Sequence, residues 1–123
     1  MTSLQGEYIV ITEKNESREV SLNDKTEWLI GRVSSASKPD IPLTTATVSR
    51  KHGRFVNCMG IWYYYNCCCK NNTFINGKLI KPGIGGRIRP VMLKDGDELL
   101  LGAGSIPKVN DRNVKVVFHK TIG

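Results

Sequence analysis

Three short polar runs carry the side chains with chemistry to offer: Gly31-Arg32, Ser49-Arg50-Lys51-His52 and Asn71-Asn72-Thr73-Phe74-Ile75-Asn76-Gly77. A guanidinium is a planar fork that can give two parallel hydrogen bonds to the oxygens of one anion, each charge-assisted contact contributing about 1.5–3 kcal/mol. Ser49, 17 residues after Arg32, adds a short hydroxyl donor from a separate loop. The amides of Asn71 and Asn76 both donate and accept, the property needed to grip an extended backbone. Short apolar stretches separate the runs, so the polar loops are expected together at one end of a β-sandwich, as in a binding site.

Catalysis finds little support in the same residues. His52 has no nucleophile or carboxylate at a recognisable spacing, so its expected role is to hydrogen-bond neighbouring backbone and brace its loop. The chain has two histidines and four cysteines, at positions 58, 67, 68 and 69. A thiol paired with His52 or His119 is conceivable, but no thiol-protease signature surrounds these cysteines, and there is no nucleophile elbow or glycine-rich loop opening a helix. Three cysteines in succession lack the separated pairs of a zinc site, and the expectation is small, partly buried, reduced residues. No metal or cofactor is expected.

The elements that must position these loops read as strands. No window of eleven or more residues has helical apolar spacing, whereas period-2 runs bounded by Gly, Asn, Asp and Pro recur. Strands are expected at Tyr8–Thr12, Glu19–Leu22, Glu27–Gly31, Ile41–Leu43, Gly53–Met59, Ile61–Tyr65, Thr73–Ile75, Lys78–Ile80, Glu98–Leu101 and Val114–Phe118, with a further apolar stretch from Arg87 to Leu93 after Gly83-Ile84-Gly85-Gly86. Turns are expected at Asn15-Glu16-Ser17, Asn23-Asp24-Lys25, Gly60 and Asp95-Gly96, and above all at Asn76-Gly77, which suits a type I′ hairpin. The result is an all-β, two-sheet antiparallel sandwich of about ten or eleven strands with its binding loops at one end. The loop at residues 33–39 is too small and polar to build core, and alternation puts Trp62 and Tyr64 on one face of their strand.

The three runs resemble the signature of the forkhead-associated domain, whose known members bind phosphothreonine peptides. Asp40-Ile41-Pro42-Leu43, the Trp62 to Gly77 stretch and Leu93-Lys94-Asp95-Gly96-Asp97-Glu98-Leu99-Leu100-Leu101-Gly102 extend the likeness over residues 28–102. The resemblance implies that Arg32 and the Ser49 hydroxyl hold the phosphate, that Arg50 is a secondary contact, that Asn71 meets the peptide, and that Asn76 is either a contact or a loop brace. Trp62 and Tyr64 would form the core face. Gly31, Gly77 and His52 would support the site, while Gly31, Gly53, Gly77 and Gly102 read as backbone positions with no chemical role. Lys51 reads as a solvated cation.

One departure stands out. Lys70 occupies the position where the family usually has a threonine donor, and Asn72 the position of a usual glycine. A lysine replaces the lost donor with a mobile ammonium, which strengthens anion attraction and loosens the geometry. Selectivity residues would lie near Thr47 and around Asn72 to Thr73, and the charges of Lys70, Arg50 and Lys78 favour acidic residues beside the phosphothreonine.

Composition bounds the rest. With 123 residues, 40% apolar and 24% charged, the chain is expected to form one domain spanning 1–123. Residues 1–50 hold six Lys and Arg against seven Asp and Glu; the remaining twelve and four fall in residues 51–123, giving −1 and +8 of the net +7. An acidic partner follows, whether phosphopeptide, nucleic acid or anionic membrane surface. No run of about 20 apolar residues could span a membrane as a helix, and the first residues lack a signal-like pattern, which favours an intracellular protein. The resemblance points to a monomeric, non-enzymatic module for a threonine-phosphorylated protein, hence to a Ser/Thr kinase upstream. Two rivals remain: a nucleic-acid binder stacking bases on the Trp62 to Tyr65 aromatics, and a scaffold or dimerisation sandwich indifferent to phosphate.

Overall fold

In the computed structural model of the chain, residues 6–67, 70–81 and 89–121 are described. Among them are eleven strands: β1 (Glu7–Glu13), β2 (Glu16–Ser21), β3 (Glu27–Arg32), β4 (Ile41–Leu43), β5 (Gly53–Cys58), β6 (Ile61–Asn66), β7 (Asn72–Ile75), β8 (Lys78–Leu79), β9 (Val91–Met92), β10 (Glu98–Ala103) and β11 (Val114–Lys120). They form one sheet in the order β2-β1-β11-β10-β7-β8 and another in the order β4-β3-β5-β6-β9. No helix among the described residues is long and apolar enough to cross a membrane.

Period-2 patterning explains why these segments are strands, because each sends alternate side chains into the space between the sheets. Ile9 and Ile11 of β1, Ile30 of β3, Phe55 of β5, Leu99 and Leu101 of β10, and Val116 and Phe118 of β11 are fully buried there. Each such side chain contributes about 1.5–3 kcal/mol through removal from water. Trp62 and Tyr64 join this core, as alternation along β6 predicts, while Tyr63 and Tyr65 point the other way and are half-buried. A base-stacking platform made of all four aromatics is therefore not available, since two of them are interior.

The hairpin turns follow backbone chemistry. Asn76 and Gly77 adopt φ of 51° and 79°, and Met59 and Gly60 adopt 55° and 85°, the paired positive values that let two-residue turns match strand twist. The first hairpin differs from expectation. Its turn is Lys14-Asn15, at φ 53° and 66°, and Glu16 and Ser17 already belong to β2, with Glu13 opposite Glu16. No glycine marked that turn, so the expected one began a residue late and ran two residues into β2.

One pairing is not antiparallel. β3 and β4 run side by side in the same direction, with Arg32 opposite Leu43, while every other pairing among the described strands is antiparallel. The consequence is local: both strands end at the same rim, so the chain leaving β4 starts its next loop beside Arg32. The 33–40 crossover lies largely exposed. Cys58 is exposed rather than partly buried, and Cys67 is half-buried. Cys68, Cys69, the Gly83 to Gly86 break and the start of the Arg87 to Leu93 stretch lie outside the described residues; of that stretch, Val91–Met92 forms a strand.

Candidate functional site

Strand ends from both sheets meet at one rim: the last residues of β3, β4, β6 and β10 and the first of β5, β7 and β11. The loop from Thr44 to His52 is tied down there. The amide of Arg32 donates to the Ser49 carbonyl at 3.0 Å, its Nε donates to the Val48 carbonyl at 3.0 Å, and the amide of His52 donates to the Ile30 carbonyl at 3.1 Å. This approach is possible only because residue 31 is glycine: a Cβ there would lie 1.9 Å from the Arg50 carbonyl oxygen. Gly31 thus lets the end of β3 press against the backbone of Ser49 and Arg50.

His52 is the internal post of the loop. Fully buried, it accepts the Ser49 N–H at Nδ1 over 3.1 Å, which leaves the ring proton on Nε2, 2.9 Å from the Thr73 hydroxyl. Thr73 in turn donates to Asn66 Oδ1 at 2.7 Å, an oxygen that also accepts from the Tyr64 hydroxyl at 3.2 Å. Burial pushes the imidazole down to about 4, so it is neutral at physiological pH and its tautomer is set by these partners. A neutral, interior ring is a brace and not a proton shuttle.

The arrangement leaves donors facing outward. A cleft of about 730 Å³ opens at the rim, lined by Arg32, Ala36, Ser37, Ala46, Thr47, Val48, Ser49, Arg50, Lys51, Lys70 and Asn71. Four of these residues are cationic and none is a carboxylate, so the cleft suits an anion. With its Nε spent on Val48, the Arg32 guanidinium keeps its two terminal nitrogens without an acceptor among the described residues. The Ser49 hydroxyl lies 3.4 Å from the Lys70 N–H as acceptor, and its own proton is free to donate.

Five residues singled out in the sequence, Arg32, Ser49, Arg50, Lys70 and Asn71, are therefore brought to one cleft. Asn71 reaches it with half its amide committed: Nδ2 donates to the Thr47 carbonyl at 2.8 Å, leaving Oδ1 for another group. Asn76 is not there. It sits at the far end of β7, where Nδ2 donates to Asp97 Oδ1 at 2.9 Å and Oδ1 accepts the Glu98 N–H at 2.9 Å. Of the two roles its position suggested, it fills that of a brace, in the hairpin it makes with Gly77. Lys78 shares that hairpin and does not line the cleft.

Two features of the cleft were not readable from motifs. Lys51, read as a solvated cation, is exposed but forms part of the cleft wall. Ala36 and Ser37 come from a crossover whose small residues gave no sign of a role. Thr47 is held from three sides: its hydroxyl donates to the Arg112 carbonyl at 2.5 Å, its carbonyl accepts from Asn71, and it packs where a side chain on Gly102 would fall 2.5 Å from its hydroxyl.

Comparison with known proteins agrees with this architecture. Residues 28–102 match the FHA domain family. Among solved structures, full-length yeast Pml1p is 25% identical, with a TM-score of 0.69 over 94% of this chain and 82% of that one. The FHA1 domain of yeast Rad53 is 18% identical, with a TM-score of 0.66 over 98% and 80%. The FhaA FHA domain, solved in complex with the intracellular domain of Rv3910, is 17% identical, with a TM-score of 0.66 over 92% and 99%. No curated protein matches the sequence. With more than half its residues matched by one family and the same two-sheet sandwich in those neighbours, the chain belongs to the FHA domain family.

Proposed function

We propose that this chain is a non-catalytic module that docks onto threonine-phosphorylated segments of a partner protein, and so acts downstream of a Ser/Thr kinase. The family consists of interaction modules rather than enzymes, and the FhaA FHA domain was solved bound to another protein's intracellular domain. The observation that carries the reading is the pairing of Arg32 and Ser49, locked backbone to backbone in one cleft where no carboxylate is found among the described lining residues. A phosphothreonine carries between one and two negative charges near neutral pH and three acceptor oxygens. The two terminal nitrogens of Arg32 supply a bidentate grip, the Ser49 hydroxyl supplies a third donor, and the Lys70 ammonium adds charge to the same cleft.

Asn71 Oδ1 is positioned to accept an N–H from the bound segment. Arg50 and Lys51 extend the positive wall beyond the phosphate, which supports a preference for acidic residues beside the phosphothreonine; Lys78 drops out of that set.

Calorimetry with one acidic peptide in phosphothreonine, phosphoserine and unmodified forms tests this. The phosphorylated forms bind and the unmodified peptide does not. Arg32→Ala, which removes two charge-assisted bonds, lowers affinity by roughly a hundredfold or more. Equal affinity for the unmodified peptide would instead identify a phosphate-indifferent scaffold.

A further inference from the structure

Glu13 lies outside every motif, at the end of β1, yet one of its carboxylate oxygens gathers three hydrogen bonds from the loop that carries Ser49. Oε2 accepts the N–H of Thr44 at 2.8 Å, the N–H of Thr45 at 2.8 Å and the hydroxyl of Thr45 at 2.6 Å. These contacts bridge 31 and 32 residues of sequence. Thr45 is buried, and its carbonyl accepts the Val48 N–H at 3.1 Å, closing a tight turn over residues 45–48. The last residue of that turn offers its carbonyl to Arg32 Nε. An unbroken series of contacts therefore runs from Glu13 through Thr45 and Val48 to the guanidinium.

We infer that Glu13 is a positioning residue for anion binding: its carboxylate fixes the 44–48 turn, and the turn aims the Arg32 guanidinium into the cleft. This rests on the phosphate-binding reading for its functional consequence, but the aiming itself is a property of the free protein. Multiple hydrogen bonds to one charged oxygen are the stronger kind, and they hold a loop that has no strand partner of its own. Thr47 is secured independently by Arg112 and Asn71, so the role of Glu13 falls on the turn's first half and on Val48. Burial opposes ionisation of Glu13, but the Thr45 hydroxyl, the two backbone donors and the charge of Lys14 outweigh it and hold the carboxyl below the usual glutamate range.

The test compares wild type with Glu13→Ala, Glu13→Gln and Asp95→Ala. Asp95 accepts the Lys120 N–H at 2.9 Å, away from the cleft, and its variant serves as a control for general destabilisation. In NMR spectra of the unliganded proteins, the Arg32 Nε–H and the Thr44 and Thr45 amides exchange with solvent at least about tenfold faster in Glu13→Ala. In Glu13→Gln, which keeps one carbonyl acceptor, the change is smaller, and in Asp95→Ala it is absent. Affinity for an acidic phosphothreonine peptide falls in the same order. Unchanged Arg32 Nε–H protection in Glu13→Ala overturns the inference, as does an equal change in Asp95→Ala. If Glu13→Ala does not fold, Glu13→Gln against Asp95→Ala decides by the same readout. Faster exchange at Arg32 in a protein whose wild type binds no phosphopeptide would uphold the positioning role and defeat the functional reading.

Discussion

At the scale of single residues, His52 links stability to pH. Its ring is buried and neutral with a depressed value of about 4, against an ordinary histidine value near 6.5. Below about 6.5 the unfolded chain takes up a proton that the folded chain refuses, so the stabilisation is complete above that pH and is lost as pH falls toward about 4. The gap corresponds to about 3 kcal/mol. Chemical denaturation at a series of pH values will show stability falling through this window in the wild type. In His52→Gln, which cannot titrate, that component of the slope disappears; an unchanged slope would mean the ring is solvated. Asp40 also titrates low, mainly because it accepts the Leu29 N–H at 2.8 Å, so a residual acid-side slope remains at lower pH. Arg32 and Ser49 were legible because a motif and a donor inventory both pointed to them. Glu13 was not, because its partners are more than thirty residues away and no local pattern encodes a contact between separate loops.

At the scale of elements, the Asn76-Gly77 hairpin separates fold from function. Asn76 ties β7 to the start of β10 through two hydrogen bonds and adopts positive φ, and the cleft lies at the other end of β7. Asn76→Ala will lower stability by about 1–2 kcal/mol, through a strained turn and the lost bonds, while phosphopeptide affinity stays within about twofold. A large loss of affinity with stability intact would return Asn76 to the binding surface. This hairpin was legible because Asn-Gly has few other reasons to stand between two apolar runs. The Lys14-Asn15 turn carried a weaker signal and was displaced in consequence. The parallel pairing of β3 with β4 was unreadable: three residues of strand do not record a direction, yet that direction brings the Ser49 loop beside Arg32.

For the molecule as a whole, the excess positive charge proved a poor guide to the site. It belongs to residues 51–123, but Arg32 and Arg50 come from the nearly neutral first part, and among the described residues Lys51 and Lys70 join them at the cleft. What gathers the four is topology: two sheets whose strand ends share a rim. The sandwich itself was legible, since alternation and turn residues both favoured it, and Trp62 and Tyr64 face the core as expected. The central claim is that a guanidinium and a hydroxyl from separate turns grip one phosphate. A crystal structure with bound phosphothreonine peptide tests it most directly. Phosphate oxygens are expected within about 2.6–3.0 Å of both the Arg32 terminal nitrogens and Ser49 Oγ. A phosphate bound elsewhere, or one touching neither side chain, would contradict it.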